Sequence, residues 1–457
     1  MKKIALILVP LLLLAGAATW WFVQRLLPPP AQAAATDPRH AELATRFLDL
    51  LDSGRYEEAL AMADDTMRAA LDAEKLASVW TRLPDQLGAR TGRSAFRGER
   101  VGDTDIVTAT LTFPVLALDA RVAFDDADRI SGFRLVPAQA AASPAAEHGD
   151  EWTEADVAVG QGDDALPGTL TRPRGSGPFP GVVLVHGSGP HDRDETIGPN
   201  KPFRDLAHGL AERGIAVLRY EKRSRAHPDS LAGRGYTIDD EVTDDAVAAV
   251  AAVRSRTGID PDRVFVLGHS LGAMLAPRIA ERDPRIAGLI LLAAPARPLE
   301  DIVPRQIRHL AGLEGANEAE IQSRLAPLEQ QRAVVKALDE TIPGTTPMML
   351  DLPASYWRSL AGIDPVASAR ALRQPLLVLQ GGRDYQVTPA DDFARWQAAF
   401  DGDPRVRLRA FPELGHLFMP GGEPPGPKDY LVAGNVDPAV IAAIADWIGA
   451  VSPGAQR

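Results

Sequence analysis

The chain has no cysteine in its 457 residues. That absence excludes disulfides, a thiolate nucleophile, a zinc–thiolate site and lipid attachment at cysteine. Positive charge is also short. Lysine and arginine number 49 against 61 aspartates and glutamates, for a net charge of −12, which argues against nucleic acid as a partner. Histidine is scarce, nine in all, and His416 is the only one beyond residue 309. No propeller-like internal repeat is visible.

The N-terminus carries a distinct signal. Lys2 and Lys3 precede an apolar run from Ile4 to Val23, closed by Gln24 and Arg25. A charged start followed by a run long enough to span a bilayer reads as a signal peptide or a membrane anchor. Ala15-Gly16-Ala17 and Ala31-Gln32-Ala33 are both cleavage candidates. Either way the body is expected outside the inner membrane, periplasmic or anchored and facing outward. Residues 1–37 are therefore set apart as signal or anchor plus a proline- and alanine-rich tether.

From Pro38 the pattern is helical. Ala41, Leu43, Ala44, Phe47, Leu48, Leu50 and Leu51 share one face, and Tyr56–Ala63 and Ala73–Arg82 continue it. Then the period changes to alternation in Ser94–Arg100, Ile106–Phe113, Leu116–Phe124 and Ile130–Val136. Helices followed by antiparallel strands predict a small α+β domain over 38–136. An alanine-rich stretch with Ser143-Pro144 reads as a linker over 137–150.

Residues 151–457 open with a hairpin and then alternate strand and helix. Strands are expected at Gly181–Val185, Ile215–Tyr220, Val264–Leu267, Ala287–Leu292, Pro375–Gln380 and Arg405–Ala410. Runs apolar on both faces predict a mostly parallel, doubly wound α/β sheet. About 80 residues between Leu292 and Pro375 hold no strand. Their helical patterns, Leu299–Leu313, Glu318–Thr341 and Ala354–Leu360, predict a cap over about 298–365. Met348, Met349, Leu350, Trp357 and Leu360 are candidates for lining an acyl pocket, with core packing the competing role.

The chemistry centres on Gly268-His269-Ser270-Leu271-Gly272. It lies between a buried strand and a helix, the context of a nucleophile elbow. Ser270 needs a base, and the base needs an orienting acid. His416 is the one eligible base. Asp384, at the end of a parallel strand, is the candidate acid. Asp391 and Asp392, read as the solvated start of a helix, and Glu413 are the alternatives. Two backbone N–H groups must hold the oxyanion. Leu271 supplies one. Ser188, in His186-Gly187-Ser188-Gly189, is assigned the other, with Gly187 as runner-up. His186 reads as a structural hydrogen-bonding residue. Clustered His191, Asp192, Asp194 and Glu195 read as a structural loop, salt-bridged to Arg219 or Arg223, with cation binding as the alternative.

These motifs resemble the bacterial α/β-hydrolase-fold serine esterases that carry a loop of the form HGSGPxDRDET. Here the loop runs from His186 to Thr196. Arg219–Arg223, Gly381-Gly382-Arg383-Asp384 and His416-Leu417-Phe418 match as well, over about residues 150–450. The chain departs at Glu221, where aspartate is expected, and at Ala273, where glycine is common. The small domain resembles nuclear-transport-factor-2-like domains and the uncharacterised domain fused ahead of bacterial α/β hydrolases. The resemblance implies hydrolysis of short-acyl carboxylic esters by Ser270, Asp384 and His416, without a cofactor. Two rival readings are a peptidase or acyl-amino-acid hydrolase of the same fold, and an inactive surface binding protein.

Overall fold

The computed structural model describes residues 32–101, 104–113, 117–138 and 151–451. The apolar run Ile4–Val23 lies outside them. Among the described residues no helix is long and apolar enough to cross a membrane. The chain divides into two compact units between Ala142 and Ser143.

In the first unit, the helices Pro38–Asp52, Tyr56–Ala61, Asp65–Ala70 and Ala73–Leu87 precede an antiparallel sheet. Its strands are β1 (Gln32–Ala34), β2 (Gly92–Arg93), β3 (Arg97–Val101), β4 (Thr104–Thr112), β5 (Leu118–Phe124) and β6 (Ile130–Pro137). The sheet order is β1-β3-β4-β5-β6, with β2 on β4. Asp37 caps the first helix by accepting the Arg39 N–H. Phe47, Leu48, Leu51 and Trp80 of the helices share one core with Val107, Leu111, Val122 and Phe133 of the sheet. Alternation along each strand turns one apolar face toward the helices. β1 falls within the stretch expected to be tether: Gln32–Ala34 pairs with Gly98–Arg100. Periodicity cannot signal a strand of three residues.

The second unit is built on an eight-stranded sheet in the order β14-β13-β12-β11-β9-β10-β8-β7. β7 (Trp152–Val159) and β8 (Leu166–Pro173) form the opening hairpin. β9 (Phe179–Val185), β10 (Ala216–Tyr220), β11 (Ile259–His269), β12 (Leu289–Leu292), β13 (Leu376–Gly381) and β14 (Val406–Phe411) run parallel. Val264 and Val266 of β11 point into one core layer, Phe265 and Leu267 into the other. That double burial is why the run is continuously apolar.

The cap helices are Leu299–Leu313, Glu318–Lys336 and Ala354–Ala361, followed by Pro365–Ala371 leading back to β13. Met349, Trp357 and Leu360 are buried in the core, and the Trp357 indole N–H donates to the Met349 carbonyl at 3.0 Å. They pack the cap and do not line the pocket. The helical stretch between β10 and β11 begins with a wide π turn, Asp239–Thr243, before the α-helix Asp244–Arg254. That turn carries the buried Glu241.

Candidate active site

Four loops at the carboxyl ends of β9, β11, β13 and β14 carry Ser188, Ser270, Asp384 and His416 respectively. This is where an open parallel sheet gathers its functional groups. Ser270 has φ 51° and ψ −116°, a strained conformation for a residue with a Cβ. The flanking glycines make the turn sterically feasible. A Cβ on Gly268 would stand 2.2 Å from the Gly272 carbonyl oxygen, and one on Gly272 would stand 2.1 Å from the Val185 oxygen. The elbow thus needs glycine on one side to close on itself and on the other to seat against β9.

His416 and Asp384 are both buried, and His416 Nδ1 donates to Asp384 Oδ2 at 2.8 Å. A carboxylate only accepts, so Nδ1 carries the proton and Nε2 of the neutral ring is left with a lone pair. The other carboxylate oxygen accepts the N–H groups of Gln386 at 2.8 Å and Val387 at 3.0 Å. Gln380 adds its amide N–H to Oδ2 at 3.2 Å. Four donors therefore hold this acid in one orientation. Ser270 and His416 make no hydrogen bond with each other in this structure. Such bonds are often long in a free enzyme and tighten when substrate binds.

The competing acids are otherwise engaged. Glu413 pairs with Arg383. Asp392 is not solvated: it is fully buried, with Arg297 Nη2 at 2.7 Å and the Ala296 N–H at 3.0 Å. Asp391 pairs with Arg305 at 3.0 Å.

The loop after β9 separates the two candidate oxyanion donors. Gly187 gives its N–H to Glu195 Oε1 at 2.7 Å. The Ser188 N–H has no acceptor among the described residues. His191 Nε2 donates to the Ser188 carbonyl at 2.8 Å, which fixes that peptide plane. Leu271 opens its helix, so its N–H has no intrahelical acceptor. Lys222 Nζ donates to the Gly187 carbonyl at 2.9 Å from the far side of the loop. His186 donates from Nε2 to the Asp192 carbonyl at 3.0 Å. Burial, opposed by the Glu195 charge, pushes its imidazole down to about 3, so it stays neutral.

The acidic loop is held by internal bonds and ion pairs. Asp192 caps the N–H of Thr196 at 2.9 Å, Asp194 pairs with Arg219 and Lys201, and Glu221 pairs with Arg193 at 3.0 Å. Arg223 binds Asp245 instead. Among the described residues no group of three or more candidate ligands could hold a metal ion.

Ser188, Ser270 and Leu271 open onto one pocket, which holds about 620 Å³ of space, part of it open to solvent. Its walls include Met274, Leu299, Ile302, Val303, Leu350 and Tyr356. Of the pocket candidates read from sequence, Leu350 alone is in this wall. Gln380, Glu195, His269 and Lys222 were not recognisable as site supports from the sequence. His269 lay inside the motif and Glu195 inside the matching loop, but nothing in a linear chain pairs them.

Residues 182–425 match the family described as the alpha/beta hydrolase family. Residues 44–133 match a family described as a protein of unknown function (DUF3887). Esterase EstD of Thermotoga maritima is 38% identical over 407 residues, covering 88% of this chain and 93% of the relative. Among solved structures, Est1E from Butyrivibrio proteoclasticus is similar at 15% identity and TM-score 0.39, covering 64% of this chain and 97% of that one. The 2,6-dihydroxy-pseudo-oxynicotine hydrolase is similar at 16% identity and TM-score 0.40, covering 65% and 67%. The family match spans more than half of the chain and the Thermotoga relative nearly all of it; the chain belongs to the alpha/beta hydrolase family, as an enzyme of carboxylesterase type.

Proposed function

We propose that the enzyme cleaves short-acyl carboxylic esters through an acyl-enzyme on Ser270, with His416 as base and Asp384 as orienting acid. The observation that carries this reading is the buried His416–Asp384 hydrogen bond, which leaves Nε2 free on the loop that follows β14. His416 Nε2 takes the Ser270 proton as Oγ attacks the ester carbonyl carbon. The tetrahedral oxyanion is held by the Leu271 and Ser188 N–H groups. His416 then gives its proton to the leaving alcohol. Water repeats the sequence and releases the acid. The apolar pocket wall supports an alkyl acyl group. The relative's name, esterase, supports the bond class.

The test is Ser270→Ala. Hydrolysis of p-nitrophenyl acetate and labelling by a fluorophosphonate should both disappear while the protein remains folded. Wild-type turnover by the variant would overturn the reading. The run from Ile4 to Val23, behind Lys2 and Lys3, supports export across the inner membrane. Fractionation of cells producing the full chain checks this, since a purely cytosolic enzyme contradicts it.

A further inference from the structure

Beneath the serine lies a second acid and histidine that the mechanism above leaves unused. Glu195 is 1% exposed and has φ 51°. A buried carboxylate in a left-handed conformation is costly and persists only where its surroundings determine it. Oε1 accepts the Gly187 N–H at 2.7 Å. Oε2 stands 3.0 Å from His269 Nδ1, within ion-pair reach although off the line of an ideal hydrogen bond. On the opposite side of the ring, His269 Nε2 is 3.0 Å from the backbone oxygen of His416. The two imidazole rings are 4.7 Å apart between centroids. Phe203, Leu206, Leu292, Leu417 and Phe418 close around the pair and keep the surroundings apolar.

The ring of His269 therefore faces a carboxylate and a peptide carbonyl, oxygens that accept. A neutral imidazole has one N–H and would set a nitrogen lone pair against one of them. An imidazolium satisfies both. We propose that Glu195 and His269 form a buried carboxylate–imidazolium pair that latches the His416 loop and the oxyanion loop to the nucleophile strand, so that both are positioning residues. The proposal rests on Ser270, His416 and Ser188 acting as proposed above.

The latch joins three of the four loops. Glu195 steadies Gly187, whose neighbour Ser188 offers the oxyanion N–H. His269 adjoins Ser270 in the chain and holds the His416 main chain from behind. The charged and titratable groups facing the pair come from each neighbouring loop: His186 and His191 after β9, Lys222 after β10, Asp384 after β13 and His416 itself. Burial opposes both charges. The imidazoles facing Glu195, His269 foremost, nevertheless draw its carboxyl down to about 2, and Glu195 raises the His269 imidazole. As pH rises through the raised value, His269 loses a proton and the pair loses its attraction. The latch thus weakens as pH rises past that raised value.

The test combines ring-nitrogen NMR of 15N-histidine-labelled protein with steady-state kinetics. In the wild type at pH 7.5 one histidine should carry protons on both nitrogens, with that signal absent in His269→Gln. In Glu195→Gln the same ring should lose its extra proton at least one pH unit lower. Glu195→Gln should lower kcat on p-nitrophenyl acetate by about 30- to 100-fold, as small misplacement of catalytic groups does. KM should stay within about threefold, and the alkaline limb of kcat should move to lower pH. A neutral His269 in the wild type at pH 7.5 overturns the proposal. So does a folded Glu195→Gln enzyme with unchanged kcat and pH profile. Ser270→Ala separates the two readings: if it keeps activity, the triad assignment fails, and the NMR signal still decides the pair.

Discussion

His416 and Asp384 meet through one oxygen of the carboxylate while the other oxygen is tied to the chain, by the N–H groups of Gln386 and Val387. An asparagine at 384 would keep its carbonyl on those two N–H groups and turn its NH2 toward His416. Nδ1 would then have to accept, and Nε2 would carry the proton. The base would be in the wrong tautomer. Asp384→Asn is expected to lower kcat by about 10³- to 10⁴-fold on p-nitrophenyl acetate. KM and the thermal midpoint should change little, as steady-state kinetics and a melt on the same preparation would establish.

Gly187 brings the oxyanion loop close against the elbow. A Cβ there would stand 3.2 Å from Glu195 Oε1 and 3.3 Å from Ser270 Cβ. Gly187→Ala should push loop and serine apart by a few tenths of an ångström. We expect kcat/KM to fall about 10- to 100-fold. Overpacking should cost about 1–3 kcal/mol of stability by urea denaturation. An alanine enzyme of full activity would mean that the loop moves freely, contrary to the bonding described.

Val303, on the cap helix Leu299–Leu313, lies in the pocket wall and is buried. Val303→Phe should shorten the space available to the acyl chain. The ratio of kcat/KM for hexanoate to that for acetate esters should drop at least about tenfold, since each methylene in an apolar pocket is worth about 1–3 kcal/mol. Equal losses on every chain length would instead indicate damage to the cap.

Glu154, on β7, lies beyond the active site and reports on stability. Hydrogen bonding from His208 comes first among the influences on it; the Arg219 charge and the Thr171 hydroxyl also act, against burial, and together they hold its carboxyl down to about 2. A carboxyl lowered in the folded state contributes stability above its ordinary value near 4.5 and loses it as pH falls toward about 2. Glu154→Gln should therefore lower the thermal midpoint at pH 6–7. The gap from wild type should shrink steadily between about pH 4.5 and pH 2. A gap independent of pH would show that packing, not charge, is what the substitution removes.

The parts of the fold easiest to read were those in which one physical demand dominates. Val264–Leu267 is apolar because both faces are buried, and Leu299–Leu313 follows a helical period because one face is buried. The residues of the proposed triad were picked out for a different reason: a single eligible histidine and a strand-end aspartate left few combinations. What the chain did not disclose was pairing across space. Asp392 looks like an exposed helix start until Arg297, 95 positions earlier, is placed against it. Trp357 and Leu350 are both apolar cap residues, yet Trp357, on the helix Ala354–Ala361, packs in the core, while Leu350, in the turn Met349–Asp351, stands in the pocket wall. The π turn at Asp239–Thr243 keeps an ordinary helical sequence, so its buried Glu241 could not be anticipated.

The cap arises as one uninterrupted excursion between two strands that lie side by side, with Leu289 opposite Leu376. Its return helix, Pro365–Ala371, closes the detour before β13 begins. Most of the pocket wall therefore travels in a single stretch of sequence, while the proposed nucleophile, base and acid are encoded elsewhere. Such a division makes the cap an exchangeable cassette: lineages can retailor what the enzyme accepts by replacing one segment, leaving the hydrolytic machinery inherited unchanged.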